Sequence, residues 1–208
     1  MELKPCPFYR SMEQESRHMK AVMLSIRPEW CDKIAFRSKT IEVRKTRPKL
    51  KTPFKCYIYC TKGYPVLWKD GEEVFIGDSQ YEWLVNTPDM LNGKVIGEFV
   101  CDAVYLWNQD IHDNDTITLE SAADKACLTE DALMRYADGY FYGWHISELK
   151  IYDHPKLLCE FYKNGTLTND EYINTLYDGY KTYGEYLFTQ VLRKPPQSWC
   201  YVEDAEGW

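Results

Sequence analysis

Apolar positions in this chain fall in short runs and alternations, spaced so as to predict strands with a few short helices between them. AVMLSI (21–26) is a continuous apolar run of strand length, consistent with a buried strand. Pro28 then suits the first turn of a helix, and PEWCDKIAFR brings Trp30, Ile34 and Arg37 to one side of it. TIEVR (40–44) alternates, with Thr40, Glu42 and Arg44 on one face and Ile41 and Val43 on the other. FKCYIYC (54–60) is rich in the aromatic and β-branched residues that suit a pleated surface. Residues 64–78 read as a hairpin turning at Asp70-Gly71. KVIGEFVCDAVYLW (94–107) is the longest expected strand, and Gly97 within it marks a bulge or a close backbone approach. Thr129, followed by Glu130 and Asp131, caps a helix that Gly139 ends. FYGWHISELKIY (141–152) and SWCYVE (198–203) are two further strands.

At the ends the pattern weakens. Residues 1–19 are polar and aperiodic and are expected to form a flexible arm; the folded domain spans 20–208. Thr168 and Glu171 form a capping box for a tyrosine-rich helical stretch running to about Val191, read as a helical insertion over about 164–193. Five or more strands, short helices and no βαβ alternation point to an α+β protein built on a small β-barrel flanked by short helices.

Charge changes this picture. The net charge of −7 over 208 residues hides an asymmetry: residues 1–62 hold 15 Lys/Arg against 6 Asp/Glu, and the remainder holds 10 against 26. Between Arg37 and Lys62 stand nine basic residues and one acid, Glu42, the electrostatic footprint of a surface that meets phosphates. The plain structural alternative is a solvated basic face.

The eight cysteines do not read as a disulfide framework. Cys56 and Cys60 share a strand face at about 13 Å, beyond the roughly 7 Å that a disulfide allows. Cys6 opens KPCPF, but Tyr9 stands where a zinc ribbon carries its second cysteine, and no C-x-x-C occurs. A reducing, cytoplasmic location follows, with no metal and no cofactor expected. No apolar run reaches the roughly 18 residues of a membrane span. No P-loop, dinucleotide glycine motif or Ser-His-Asp order offers a rival chemistry.

The segments SIRPEWCDKI and FRSKTIEVRKTRPK carry a resemblance. They are similar to the opening of the ASCH family of the PUA-like superfamily, in which a strand and a helix lead to a G-x-K-x-x-E-x-R signature entering the next strand. Here Arg37 takes the glycine position, and Lys39, Glu42 and Arg44 match the rest. VIGEF (95–99) is similar to a later family strand, so the resemblance covers about residues 20–107 and extends more weakly through GWHISELKIYDHPK and PPQSWCYVE.

The resemblance implies a module that binds RNA or a modified nucleotide or nucleobase through a basic cleft. Arg27, Lys39, Glu42, Arg44 and Lys45 are the expected polar contacts, and Tyr59, Trp144, His145 and Trp199 the expected ring contacts. On physical grounds, Arg44 offers a planar fork to a phosphate or base edge, and aromatic rings grip unpaired bases by stacking. Some family members are ribonucleases or acetylcytidine amidohydrolases, and for such an activity Lys39, Glu42 and Glu98 are the expected catalytic residues. Glu42 stands where the amidohydrolase type has a threonine. A third alternative is a protein-interaction role, with the acidic C-terminal region meeting a protein partner.

Overall fold

The computed structural model describes residues 20–62, 66–69, 72–75, 91–109, 117–166, 171–172 and 182–204. Strand β1 (Lys20–Ile26) has every residue after Lys20 buried, because it lies inside a sheet covered on both faces. It pairs parallel with β3 (Phe54–Cys60) and antiparallel with β10 (Trp199–Glu203). On the far side of β3 lie β6 (Val95–Cys101) and then β9 (Ser147–Lys156), completing the order β10-β1-β3-β6-β9. A second, antiparallel sheet has the order β2 (Ile41–Arg44), β8 (Tyr140–His145), β7 (Val104–Asn108). β4 (Val66–Lys69) and β5 (Glu72–Phe75) pair as a hairpin; the Asp70-Gly71 turn and the arm over 1–19 lie outside the described residues.

The architecture is α+β. The described strands separate into open sheets, not the closed barrel expected from the strand count. The two larger sheets nevertheless share a core: Trp144 of β8 packs with Val22, Leu24, Cys56, Ile58, Ile96 and Phe99 from the five-stranded sheet.

The two longest expected strands each break where the chain crosses between sheets. Residues 94–107 bend at Asp102-Ala103, between β6 and β7, and residues 141–152 bend at Ile146, between β8 and β9. Backbone hydrogen bonds pin both corners: His145 N–H donates to the Ala103 carbonyl and Ile146 N–H to that of Thr40, each at 2.9 Å. The expected close approach at Gly97 is present. A Cβ there would lie 2.5 Å from the Lys150 carbonyl oxygen, and the β6–β9 register shifts beside it.

Helix α1 (Pro28–Ala35) joins β1 to β2, with Cys31 and Ile34 turned inward. α2 (Leu119–Ala126) and α3 (Glu130–Ala137) back the second sheet, where Ala122, Ala126 and Leu133 pack on Ile41, Val43 and Phe141. Both start at a threonine whose hydroxyl accepts from the helix backbone, Thr118 and Thr129. α4 (Tyr183–Gln190) forms the described part of the tyrosine-rich stretch; Tyr172 and Tyr186 stack there at 4.9 Å, while Thr168 lies outside the described residues. None of the described helices is long and apolar enough to cross a membrane.

Candidate functional site

The turn from α1 into β2 sets up the site. Arg37 sits in the left-handed region, φ +60°, at the position where the ASCH signature carries glycine. That conformation suits glycine because an L side chain crowds the backbone there. The reversal directs Lys39 inward, where it is 3% exposed. β2 then presents two faces. Ile41 and Val43 join the apolar cluster under α2 and α3, which turns Glu42 and Arg44 toward the five-stranded sheet.

The three charged side chains form a chain of contacts. Lys39 Nζ is 3.4 Å from Glu42 Oε2, and Glu42 Oε1 is 2.9 Å from Arg44 Nη2. Lys39 also donates to the Ala126 carbonyl at 3.1 Å, at the negative end of α2, and lies 5.3 Å from the centre of the Trp30 ring. Arg44 donates through Nη2 to the Ser25 carbonyl at 2.8 Å and through Nη1 to Ser198 Oγ at 3.3 Å. Its Nε is buried and makes no hydrogen bond among the described residues. Glu42 and Arg44 are 7% and 8% exposed, so the whole cluster is shielded from bulk water.

These groups line a cavity of about 520 Å³. Its walls come from the end of β1, Arg27 and Trp30 at the start of α1, the polar face of β2, Tyr136 of α3, and Gln197 and Ser198 ahead of β10. Burial pushes the Tyr136 phenol above its ordinary range, Arg44 pulls it down and Glu42 pushes it up, so the phenol senses the charges across the cavity. Below, in the apolar core, burial drives the Cys31 and Cys56 thiols well above theirs. After β2 the chain runs through exposed Lys45, Arg47, Lys49 and Lys51, and the Lys45 ammonium stands 5.6 Å from the Tyr136 ring centre.

The expected site residues part company here. Arg27, Lys39, Glu42 and Arg44 line the one cavity, and Lys45 follows on the surface beside Tyr136. Glu98 does not join them. It lies in register with Tyr57, on the opposite face of the five-stranded sheet, where the Tyr152 hydroxyl donates to it at 2.5 Å and Lys150 approaches to 3.9 Å. Tyr59 is 3% exposed and packs in the cluster on that same far face. Trp144 is wholly buried in the shared core, its large ring filling the space between the sheets. Trp199 tilts against it at 5.9 Å and donates its indole N–H to Thr46 at 2.9 Å. His145 is bound to Asp102 at 2.6 Å, outside the cavity lining.

The lining residues that sequence did not single out include Ser25, Thr61, Tyr136, Gln197 and Ser198. The signal for Tyr136 was its place four residues after Ala132 on the helix that Thr129 caps.

The chain is similar to solved ASCH structures. Crystal structures of a Tyr-to-Phe and a Ser-to-Ala variant of the ASCH protein from Zymomonas mobilis each match with a TM-score of 0.48 at 14% identity, covering 89% and 91% of this chain and 92% of theirs. The crystal structure of ASCH from the same organism matches with a TM-score of 0.44 at 15% identity over 89% of this chain and 90% of that one. No protein-family model and no curated protein matches the chain.

Proposed function

We propose that this ASCH-like module binds RNA or a nucleotide-like ligand in the cavity lined by Lys39, Glu42 and Arg44. The observation that carries the reading is a nine-tenths buried arginine, its Nε unpartnered among the described residues, set beside a lysine and a carboxylate in a cavity of about 520 Å³. Sites for small ligands span roughly 300–1,000 Å³ and combine apolar walls with a few placed polar groups. Trp30 and Tyr136 supply ring surface, and the cluster supplies the donors that a phosphate requires, with a carboxylate that suits the donor of a base edge. The exposed run from Lys45 to Lys51 adds long-range attraction for a polyanion.

The competing account is a purely structural ion network tying β2 to β1. The geometry favours binding, because a structural network has no use for an adjoining void or for an unpaired guanidinium nitrogen. Hydrolysis of the acetylcytidine type finds less support, since Glu98 stands across the sheet from Lys39.

A titration of labelled single-stranded RNA and of free nucleotides tests the reading. Arg44→Gln is expected to weaken binding by about tenfold or more, the loss of one charge-assisted hydrogen bond. Lys49→Ala and Lys51→Ala are expected mainly to flatten the salt dependence. Equal, small losses for all three would show a diffuse basic face and no pocket. Incubation with RNA and with acetylated cytidine is expected to give no product; turnover that disappears in Lys39→Met would make the protein a hydrolase.

A further inference from the structure

The cavity carries more positive than negative charge, and the excess selects one part of a nucleotide. Buried Lys39 and Arg44 line it against the single carboxylate of Glu42, a formal excess of +1, and exposed Arg27 at the mouth raises it to +2. Both Glu42 oxygens are already engaged, one by Lys39 and one by Arg44. The cations retain spare donors. Arg44 Nη1 makes one hydrogen bond where it has two protons, while Arg44 Nε is sealed from solvent and has no partner among the described residues. Lys39 donates one proton to Ala126 and is ion-paired with Glu42.

The backbone points the same way. α1 begins at Arg27 on the cavity wall, and no side chain caps its first turn. Pro28 at its first position carries no N–H and the Trp30 N–H turns back to the Arg27 carbonyl, so what the helix start adds here is the positive end of its dipole, which favours an anion. Charges buried without compensation are costly, so the group that completes this site brings negative charge and acceptor oxygens, not further donors. A nucleoside base alone brings no charge. A phosphodiester brings one negative charge, and a phosphomonoester close to two at neutral pH.

We propose that the cavity holds the terminal phosphomonoester of a nucleotide, with Arg44 and Lys39 on its oxygens, Arg27 at the mouth, and the sugar and base directed outward past Trp30 and Tyr136. This rests on the nucleotide-binding reading above and narrows it: the ligand is a 5′- or 3′-monophosphate, either free or at the end of an RNA strand, not a nucleoside and not an internal linkage.

Calorimetric titration of the full chain distinguishes these. The probes are cytidine, cytidine 5′-monophosphate, the methyl ester of that phosphate, and inorganic phosphate as competitor, followed by one RNA sequence with a 5′-phosphate, a 3′-phosphate or hydroxyls at both ends. The monophosphate is expected to bind at least tenfold more tightly than the nucleoside or the methyl ester, and inorganic phosphate is expected to displace it. The preference should shrink as pH falls from 7.5 to 5, through the phosphate's second ionisation at about 6. Arg44→Gln should abolish the preference. Arg27→Gln, which alters an exposed side chain and so spares the fold, should reduce it several-fold. A preference seen in both the free nucleotide and the phosphorylated RNA, or in one of them, supports the proposal and identifies the source. Nucleoside or hydroxyl-ended RNA binding as tightly as its phosphorylated counterpart overturns the phosphate proposal and leaves nucleotide binding intact. No binding of any probe overturns both.

Discussion

Glu42 and Arg44, two residues apart on β2, meet at 2.9 Å on the strand's polar face, and Lys39 closes on the other oxygen of the same carboxylate at 3.4 Å. The alternation of a single strand therefore places one anion between two cations, all three nearly out of water. The carboxylate keeps the two cations together without exhausting their donors, and that leaves a cavity wall able to grip an anion.

Glu42→Gln removes the charge that holds this arrangement. Two buried cations are then left facing one another without compensation, so unfolding in urea is expected to show a stability loss of about 3–5 kcal/mol. A loss below about 1 kcal/mol would mean that the cluster is well hydrated and that its charges cost little.

Arg37→Gly tests the turn that delivers Lys39. At φ +60° an arginine carries a steric cost that glycine lacks. Its guanidinium makes one long, exposed contact at 3.3 Å with the Leu149 carbonyl. The substitution is expected to raise stability by up to about 1 kcal/mol, read as an upward shift in thermal midpoint. A clear loss would show that the Leu149 contact outweighs the backbone strain.

Thiol reactivity reports on the core beneath the cavity. Cys31, Cys56 and Cys60 are buried, burial raises the Cys31 and Cys56 thiols well above their ordinary value, and Cys101 is pushed up to about 12. Since the thiolate is the reactive species, these four should resist iodoacetamide in the folded protein at pH 8. Cys159 is exposed and should label readily. Mass spectrometry of the labelled chain gives the answer; rapid labelling of Cys31 would show that the cavity floor opens to solvent.

The corner between the sheets has its own pH dependence. The hydrogen bond from His145 holds the Asp102 carboxyl below its ordinary range. A carboxyl lowered on folding stabilises the folded state above its unfolded value of about 3.9, and that contribution fades as pH falls through the lower, folded value. Asp102→Asn should therefore destabilise the protein at pH 5 to 6, with the difference from the native chain closing toward pH 2. A difference that stays constant over this range would assign the effect to packing and not to charge.

Much of the fold can be read from the chain because the physical signals are local. The β1 and β3 apolar runs, Pro28 at a helix start, the Thr129 cap and the alternation in β2 each have a short-range cause. Local pattern fails where the cause is distant. The strands expected over 94–107 and 141–152 each cross from one sheet to the other, and the corner at Ile146 is fixed by a backbone bond to Thr40, far away in sequence. α2 was missed because its buried stripe is alanine, which resembles neither a core helix nor a loop. The same division governs the site. Lys39, Glu42 and Arg44 are close in sequence and meet in space, whereas Glu98 belongs to a strand whose neighbouring face, not its sequence, decides which side of the sheet it occupies. Ser25, Tyr136 and Ser198 reach the cavity only through long-range topology.

The central claim, that nucleotides bind in the cavity between Trp30 and Tyr136, is tested most directly by photocrosslinking. A short single-stranded RNA carrying 4-thiouridine at each position in turn is irradiated with the native chain, and the adducts are mapped by mass spectrometry. The account predicts crosslinks concentrated at Trp30 and Tyr136, suppressed by excess mononucleotide and lost in Arg44→Gln. Crosslinks that fall instead on the far face of the five-stranded sheet, around Glu98, Lys150 and Tyr152, with the cavity residues unlabelled, would contradict it.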